Sequence, residues 1–73
     1  MKRAVAKLDA SAVAQQFPLQ GLLPGWFFRV REVSPGGYVA EGTDLWGRMV
    51  SHQGADPDAL VQLCVASARE LRV

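Results

Sequence analysis

The sequence predicts an α+β domain: a three-stranded antiparallel β-meander packed against a C-terminal α-helix, with a short N-terminal helix or lid. Three observations predict this fold. Apolar and polar residues alternate after an aromatic start at residue 26, a Pro-Gly-Gly turn follows, and the C-terminal stretch has helical periodicity. We therefore divide the chain into an N-terminal extension at residues 1–25, with a short helix and loop, and a βββα domain at residues 26–73.

Size and composition indicate one folded domain with a small core. The 73 residues are 49% hydrophobic and 21% charged, which is typical of a globular protein. A chain this short removes only about 60–65% of its surface from water. Because this leaves little margin against chain entropy, we expect two copies to pair through an exposed sheet edge or an apolar patch.

Charge and targeting signals narrow the class of protein. The formal net charge of +1 creates no long-range field for nucleic acid or anionic lipid. The basic start resembles a signal peptide, but Lys7 and Asp9 interrupt its apolar stretch. No run approaches the roughly 20 apolar residues that cross a bilayer. The single cysteine, Cys64, excludes an internal disulfide, so we expect a soluble, cytoplasmic protein.

Little regular structure is predicted for the N-terminal extension. Asp9 or Ser11 is a suitable N-cap for a short helix at residues 12–17, which Pro18 ends. The apolar residues that follow are expected to cover an edge of the core: Leu22, Leu23 and Trp26.

The first strand is predicted at residues 26–33 (WFFRVREV). Its alternation puts Trp26, Phe28 and Val30 on one side of the sheet. Arg29 and Arg31 then lie on the other side, which indicates a half-buried strand.

Two further strands follow from turn chemistry. Residues 34–37 (SPGG) fix a turn, because proline restricts φ and glycine accepts a positive φ. A second strand is predicted at residues 38–41 (YVAE) and, after a break at 42–47, a third at residues 48–52 (RMVSH).

The C-terminal helix has the clearest start in the chain. Asp56 is a suitable N-cap, and Pro57 suits the first helical position. One apolar stripe is predicted to lie on the sheet, flanked by Val61 and Ala68. Its members are Leu60, Leu63, Cys64, Ser67 and Leu71.

The order of these elements, together with particular residues, resembles the HicB-like antitoxins. Residues 36–40 (GGYVA) match the family directly, and residues 43–47 (TDLWG) correspond to its PDLPG loop. Residues 50–54 correspond to its short strand with Ser and Gly, and residues 58–60 (DAL) to its EEAL helix start. The resemblance covers residues 27–73 and implies a partial ribonuclease H fold. It also implies neutralisation of a small RNA-cleaving toxin, similar to HicA, by direct binding.

Three departures from the family limit what the resemblance implies. Thr43 and Trp46 replace the two prolines of the family loop, and residues 1–25 have no counterpart. Many members continue into a segment that binds operator DNA, and this sequence has no match to it. The resemblance therefore does not imply autoregulation through DNA.

We expect a partner to bind the sheet face that carries the arginines, the loop before the third strand, or both. Arginine and tryptophan are enriched among the residues that anchor interfaces. The predicted partner-binding residues are Arg29, Arg31, Asp44, Leu45, Trp46 and Arg48. The alternative is an ordinary solvated sheet face, with Glu32 and Glu41 as cross-strand partners of the arginines.

Catalytic interpretations have less support in the sequence. A ribonuclease H reaction needs several carboxylates around two divalent ions, and the candidates are Glu41, Asp44, Asp56 and Asp58. The last two are explained by the helix start. Cys64 lies on an apolar stripe and His52 ends a strand, so we favour structural roles over a thiolate nucleophile.

The sequence therefore predicts a non-catalytic protein-binding module without metal or cofactor. The expected partner is a small basic protein similar to the HicA toxin. The alternative is a small nucleic-acid-binding or regulatory accessory protein, although direct contact with nucleic acid is disfavoured by the charge balance. A minimal hydrolase of the ribonuclease H type is the third hypothesis.

Overall fold

The computed structural model describes residues 8–71 and confirms the predicted α+β class. Its elements are α1 (Ala10–Gln16), β1 (Trp26–Ser34), β2 (Gly37–Asp44), β3 (Met49–Gly54) and α2 (Pro57–Leu71). The signal-peptide-like start at residues 1–7, including Lys7, lies outside the described residues, as do residues 72–73. No helix within the described range is long and apolar enough to cross a membrane.

The three strands form an antiparallel sheet in the order β1-β2-β3. The β1–β2 turn contains Gly36 at φ +74°, a conformation that L-residues rarely adopt. β2 runs to Asp44, three residues beyond the predicted end, because Gly42 continues the ladder instead of breaking it. A Cβ atom at this position would lie about 2.5 Å from Cε1 of Phe28, so the absence of a side chain makes room for the ring.

One face of the sheet packs against α2 and forms the core. Phe28 from β1, Ala40 from β2 and Val50 from β3 are all buried there. Cys64 of α2 is fully enclosed above them, and its Sγ donates to the carbonyl oxygen of Ala40 at 3.3 Å. The predicted alternation of β1 is confirmed by this core.

The buried face of α2 differs in part from the predicted stripe. The residues that the helix buries are Leu60, Val61, Cys64, Val65 and Ala68. Leu63 and Leu71 are instead 49% and 43% exposed. The helix is rotated so that Val61 and Val65 face the sheet. The side of α2 that carries Leu63 and Ser67 lies over the β3 edge, since Ser67 contacts His52, and within residues 8–71 no fourth strand lies beside β3.

The start of α2 follows the prediction. The Asp56 carboxylate accepts from the backbone N–H groups of Asp58 (3.1 Å) and Ala59 (3.3 Å). Pro57 occupies the first helical position, where its missing N–H leaves no hydrogen bond unmade.

The N-terminal helix lies on the other face of the sheet. Asp9 caps α1 and accepts from Ser11 N at 3.0 Å, so the helix begins two residues earlier than predicted. Phe17 is buried at its end beneath the guanidinium of Arg29, whose Cζ is 4.2 Å from the ring centroid. Leu19 then forms a single antiparallel bridge with Phe28 on the outer side of β1.

The connection to β1 covers the core only in part. Leu23 is buried as predicted, whereas Leu22 is 40% exposed. Trp26 belongs to β1 itself, where it is buried and its ring stacks near that of Phe28. Leu23 is therefore the residue of the connection that covers the edge of the core.

Candidate functional site

The loop between β2 and β3, residues 44–48, is organised by a buried carboxylate. Asp44 Oδ1 accepts from the backbone N–H groups of Trp46 and Arg48, both at 2.9 Å. Its Oδ2 accepts from the Arg48 side-chain Nε at 2.6 Å. Because all three donors come from the same short loop, the Asp44 side chain fixes the path of that loop.

Hydrogen bonding also sets the charge state of Asp44. Burial by itself raises the pKa of a carboxyl group. The hydrogen bonds from the Arg48 side chain and from the N–H groups of Trp46 and Arg48, with the positive charge of Arg48, outweigh that effect. They hold the pKa of Asp44 below its ordinary value of 3.8, so the carboxylate is ionised at neutral pH.

The fixed loop presents a large aromatic side chain to solvent. Trp46 is 53% exposed, and it is followed by Gly47 at φ +91°, which permits the sharp return of the chain into β3. Leu45 is half-buried, and its carbonyl oxygen accepts from Leu8 N at 2.7 Å. The loop is therefore held from within by Asp44 and from outside by the segment that precedes α1.

Arg48 lies apart from the other two predicted arginines. Its Nη1 donates to the carbonyl oxygen of Leu71 at the end of α2, and its Cζ is 5.8 Å from the ring centroid of Trp26. These contacts put the guanidinium on the α2 side of the sheet. Arg48 therefore lies on the opposite face from Arg29 and Arg31, because it is two residues before the buried Val50 and pairs with Asp44.

Arg29 and Arg31 lie on the face opposite α2, as predicted. The Nε of Arg29 is 2.8 Å from Oε1 of Glu41, and the Nε of Arg31 is 3.9 Å from the same oxygen. Glu41 is therefore the cross-strand partner that the solvated-face alternative foresaw. Glu32 instead accepts from the backbone N–H of Gly36, at 3.2 Å, in the hairpin turn.

A shallow groove of about 420 Å³ runs between α1 and this second face. Val13 and Phe17 from the helix side and Met49 from the sheet contribute apolar surface to it. Arg29 closes one wall, with its guanidinium held over Phe17. The groove is thus mainly apolar, with one cation.

Three of the four carboxylates that a nuclease would need have other contacts. Glu41 pairs with Arg29, Asp44 organises the loop, and Asp56 caps α2. Asp58 lies exposed in the first turn of the same helix. Within residues 8–71, no three His, Cys, Asp or Glu side chains are grouped so that they could hold a metal ion.

The remaining candidate pair, His52 and Cys64, is not joined as a nucleophile and base. His52 Nε2 lies 2.9 Å from Oγ of Ser67, and the Cys64 thiol donates to a backbone carbonyl instead. Burial raises the pKa of the Cys64 thiol; a backbone hydrogen bond at His52 opposes this effect in part, and the negative charge of Glu41 adds to it. The thiol form is therefore favoured, and Cys64 behaves as a core residue.

The six predicted partner-binding residues thus form two groups on different parts of the surface. Arg29 and Arg31 belong to the face opposite α2, and residues 44–48 form the loop at one end of the sheet. The sequence did not predict three contacts: Leu71 with Arg48, Leu8 with Leu45, and Ser67 with His52. The Asp-x-x-x-Arg spacing of residues 44 and 48 was the one available signal for the ion pair within the loop.

Comparisons of the chain with models of protein families, with curated proteins and with solved structures found no match.

Proposed function

We propose that this chain is a non-catalytic protein-binding module that resembles the HicB-like antitoxins and neutralises a small basic RNA-cleaving toxin similar to HicA. The complex would form in the cytoplasm, where such a toxin meets its RNA. One observation carries the proposal: a loop held rigid by the buried Asp44 carboxylate presents a half-exposed Trp46.

A rigid loop with an exposed tryptophan is well suited to binding. Ordering a flexible loop on association lowers affinity, and a preformed loop avoids that loss. Tryptophan is among the residues that contribute most to binding energy at interfaces, because its large ring is desolvated with few rotatable bonds. Trp46 therefore provides the anchor of the proposed interface.

The class of partner follows from the residues that carry the family resemblance. Residues 43–47 of the loop correspond to the family's PDLPG segment, so the exposed anchor coincides with a recognisable family feature. Replacement of its second proline by Trp46 adds contact area at that point. This supports a partner of the same class as the family's toxins.

Direct binding of nucleic acid has weaker support. Phosphate binding relies on arginines whose charge is available to the ligand. The two arginines on the face opposite α2 share one carboxylate, Glu41, and Arg48 is paired with Asp44.

Replacing Trp46 by alanine is expected to weaken toxin binding about 30-fold, corresponding to roughly 2 kcal/mol for an anchor residue. Isothermal titration with a purified, catalytically inactive HicA-type toxin measures the change. Val33→Ala is the matched control, since Val33 is 50% exposed at the opposite end of the sheet. Circular dichroism of both variants establishes that they are folded.

A second measurement tests neutralisation itself. The active toxin is mixed with RNA and increasing amounts of this chain, and intact RNA is quantified. The proposal predicts protection that saturates at a fixed molar ratio and is lost in Trp46→Ala. Undiminished cleavage with wild-type chain, or an equal loss of binding in both variants, contradicts it.

A further inference from the structure

The outer side of β3 is an open sheet edge. The sheet order is β1-β2-β3, and within residues 8–71 no strand pairs with β3 on its far side. The carbonyl of Arg48 accepts from Asp44 N, so at this residue the backbone polar groups point towards β2. Since these groups alternate along a strand, those of Met49, Ser51 and Gln53 point outwards.

The sequence of β3 lacks the features that usually prevent an edge strand from pairing with another strand. Open edges are usually protected by a charged side chain, a proline or a bulge. Residues 49–54 (MVSHQG) contain neither a charge nor a proline, and β3 pairs with β2 without a register shift. Six residues of regular edge are thus available to another strand.

The helix above this edge extends an uncovered apolar surface in the same direction. Ser67 is tied to β3 through His52, which puts that side of α2 over the edge strand. Leu63, one turn earlier on this side, is 49% exposed, and Leu71, one turn later, is 43% exposed. The apolar stripe of α2 is therefore wider than the three-stranded sheet beneath it.

We propose that a second copy of this chain pairs with β3 in antiparallel orientation, giving a six-stranded sheet with both α2 helices on one face. A two-fold axis through the outward-pointing Ser51 makes it the partner of its own copy. Met49 of each copy then lies opposite Gln53 of the other, and each of these pairs exchanges both backbone hydrogen bonds.

The distance between α2 and the proposed two-fold axis would allow the two α2 helices to pack against each other. α2 contacts β2 and β3 to a similar extent, so its axis lies above the line that runs midway between these two strands. That line is about 4.8 Å, one strand spacing, from the proposed two-fold axis. The two helices would therefore lie about 10 Å apart, which is the distance at which helices pack. Leu63 of each copy would then be buried between them.

Symmetry favours a second copy over an unrelated strand. Each copy carries the same open edge and the same exposed Leu63, so a two-fold axis through Ser51 places edge against edge and leucine against leucine.

Single cysteines test the axis directly. Cα atoms of a hydrogen-bonded antiparallel pair are about 5.5 Å apart, a separation that a disulfide spans. Ser51→Cys is expected to form a covalent dimer on mild oxidation. Gln53→Cys is the control on the same edge, because its two copies would lie roughly 14 Å apart. The native Cys64 is buried, so the introduced thiol reacts alone.

Sedimentation velocity over a concentration series tests the interface without cross-linking. Wild-type chain is expected to move from 7.9 kDa towards twice that mass as concentration rises. Leu63→Glu is expected to raise the dissociation constant of this dimer at least about tenfold, since it buries two like charges together. Ala66→Glu, on the exposed side of the same helix, is expected to leave it unchanged.

Preferential cross-linking of Ser51→Cys, together with the selective effect of Leu63→Glu, supports the proposal. A wild-type chain that stays at 7.9 kDa throughout the series overturns it, as does equal cross-linking of Ser51→Cys and Gln53→Cys. These measurements use the chain alone. They are therefore independent of toxin binding, which is tested at Trp46.

Discussion

Replacing Phe28 by alanine is expected to lower the free energy of unfolding by about 3–5 kcal/mol, through lost burial and the cavity left behind. Phe28 has no exposed surface and lies under the fully enclosed Cys64. Because small domains are stable by only about 5–15 kcal/mol, this loss is a large share of the total stability and should lower the urea midpoint strongly. Urea denaturation followed by circular dichroism measures the effect.

The neighbouring Phe27 provides the matched control. It lies on the opposite face and is only half-buried, so Phe27→Ala is expected to cost clearly less. Equal losses from the two substitutions would contradict the assignment of the core to the α2 face.

Gly42 extends the same experiment to a double-mutant cycle. Gly42→Ala alone forces the ring of Phe28 aside and is expected to cost about 1–3 kcal/mol. In the Phe28→Ala background the added methyl group enters the cavity, so this cost is expected to fall or reverse. Additive losses would show that the two residues are not coupled.

Asp44→Asn is expected to destabilise the protein by about 2–3 kcal/mol at neutral pH, because it removes charge-assisted hydrogen bonds from a buried site. The amide oxygen can still accept from the two backbone N–H groups, but the amide NH2 then faces the Nε–H of Arg48, so two donors are placed against each other. If the proposed function holds, the same variant also loses affinity for the toxin, since the loop that holds Trp46 depends on Asp44.

The pH dependence of stability tests the same carboxylate. The pKa of Asp44 is lowered in the folded protein, so its contribution is present above its ordinary value of 3.8 and is lost as pH falls through the lower, folded value. Wild type should therefore lose stability in acid more steeply than Asp44→Asn. Urea midpoints from neutral pH to about pH 3 measure the two slopes.

An exposed aspartate separates this effect from general acid destabilisation. Asp58 lies in the first turn of α2, where a charge contributes at most about 1 kcal/mol. Asp58→Asn should keep nearly all of the wild-type slope. Identical slopes for wild type and Asp44→Asn would contradict the role of Asp44.

Local signals in the sequence were sufficient for the order of the elements. The alternation from Trp26 predicted β1, and Asp56 with Pro57 predicted the start of α2 within one residue. Both signals depend on short-range chemistry, namely strand periodicity and the capping of free N–H groups. Gly42 was misread as a break, because its role depends on Phe28 of another strand.

Less of the candidate site could be predicted from the sequence. Trp46 was predicted as a partner-binding residue of the loop, and the structure shows that it is exposed. The burial of Asp44 and the direction of Arg48 depend on three hydrogen bonds that exist only once the loop has closed. The exposure of Leu63 likewise depends on how many strands lie beneath α2, which helical periodicity alone cannot specify.

The bridge between Leu19 and Phe28 bears on aggregation. A sheet with two free edges can add copies without limit and grow into a fibre. Here the N–H and carbonyl of Phe28 on the outer edge of β1 are already bonded to Leu19, and the adjacent Pro18 has no N–H to offer another strand. In a pair joined through β3, both outer edges would therefore be blocked at Phe28, which disfavours the addition of further chains along the first half of β1.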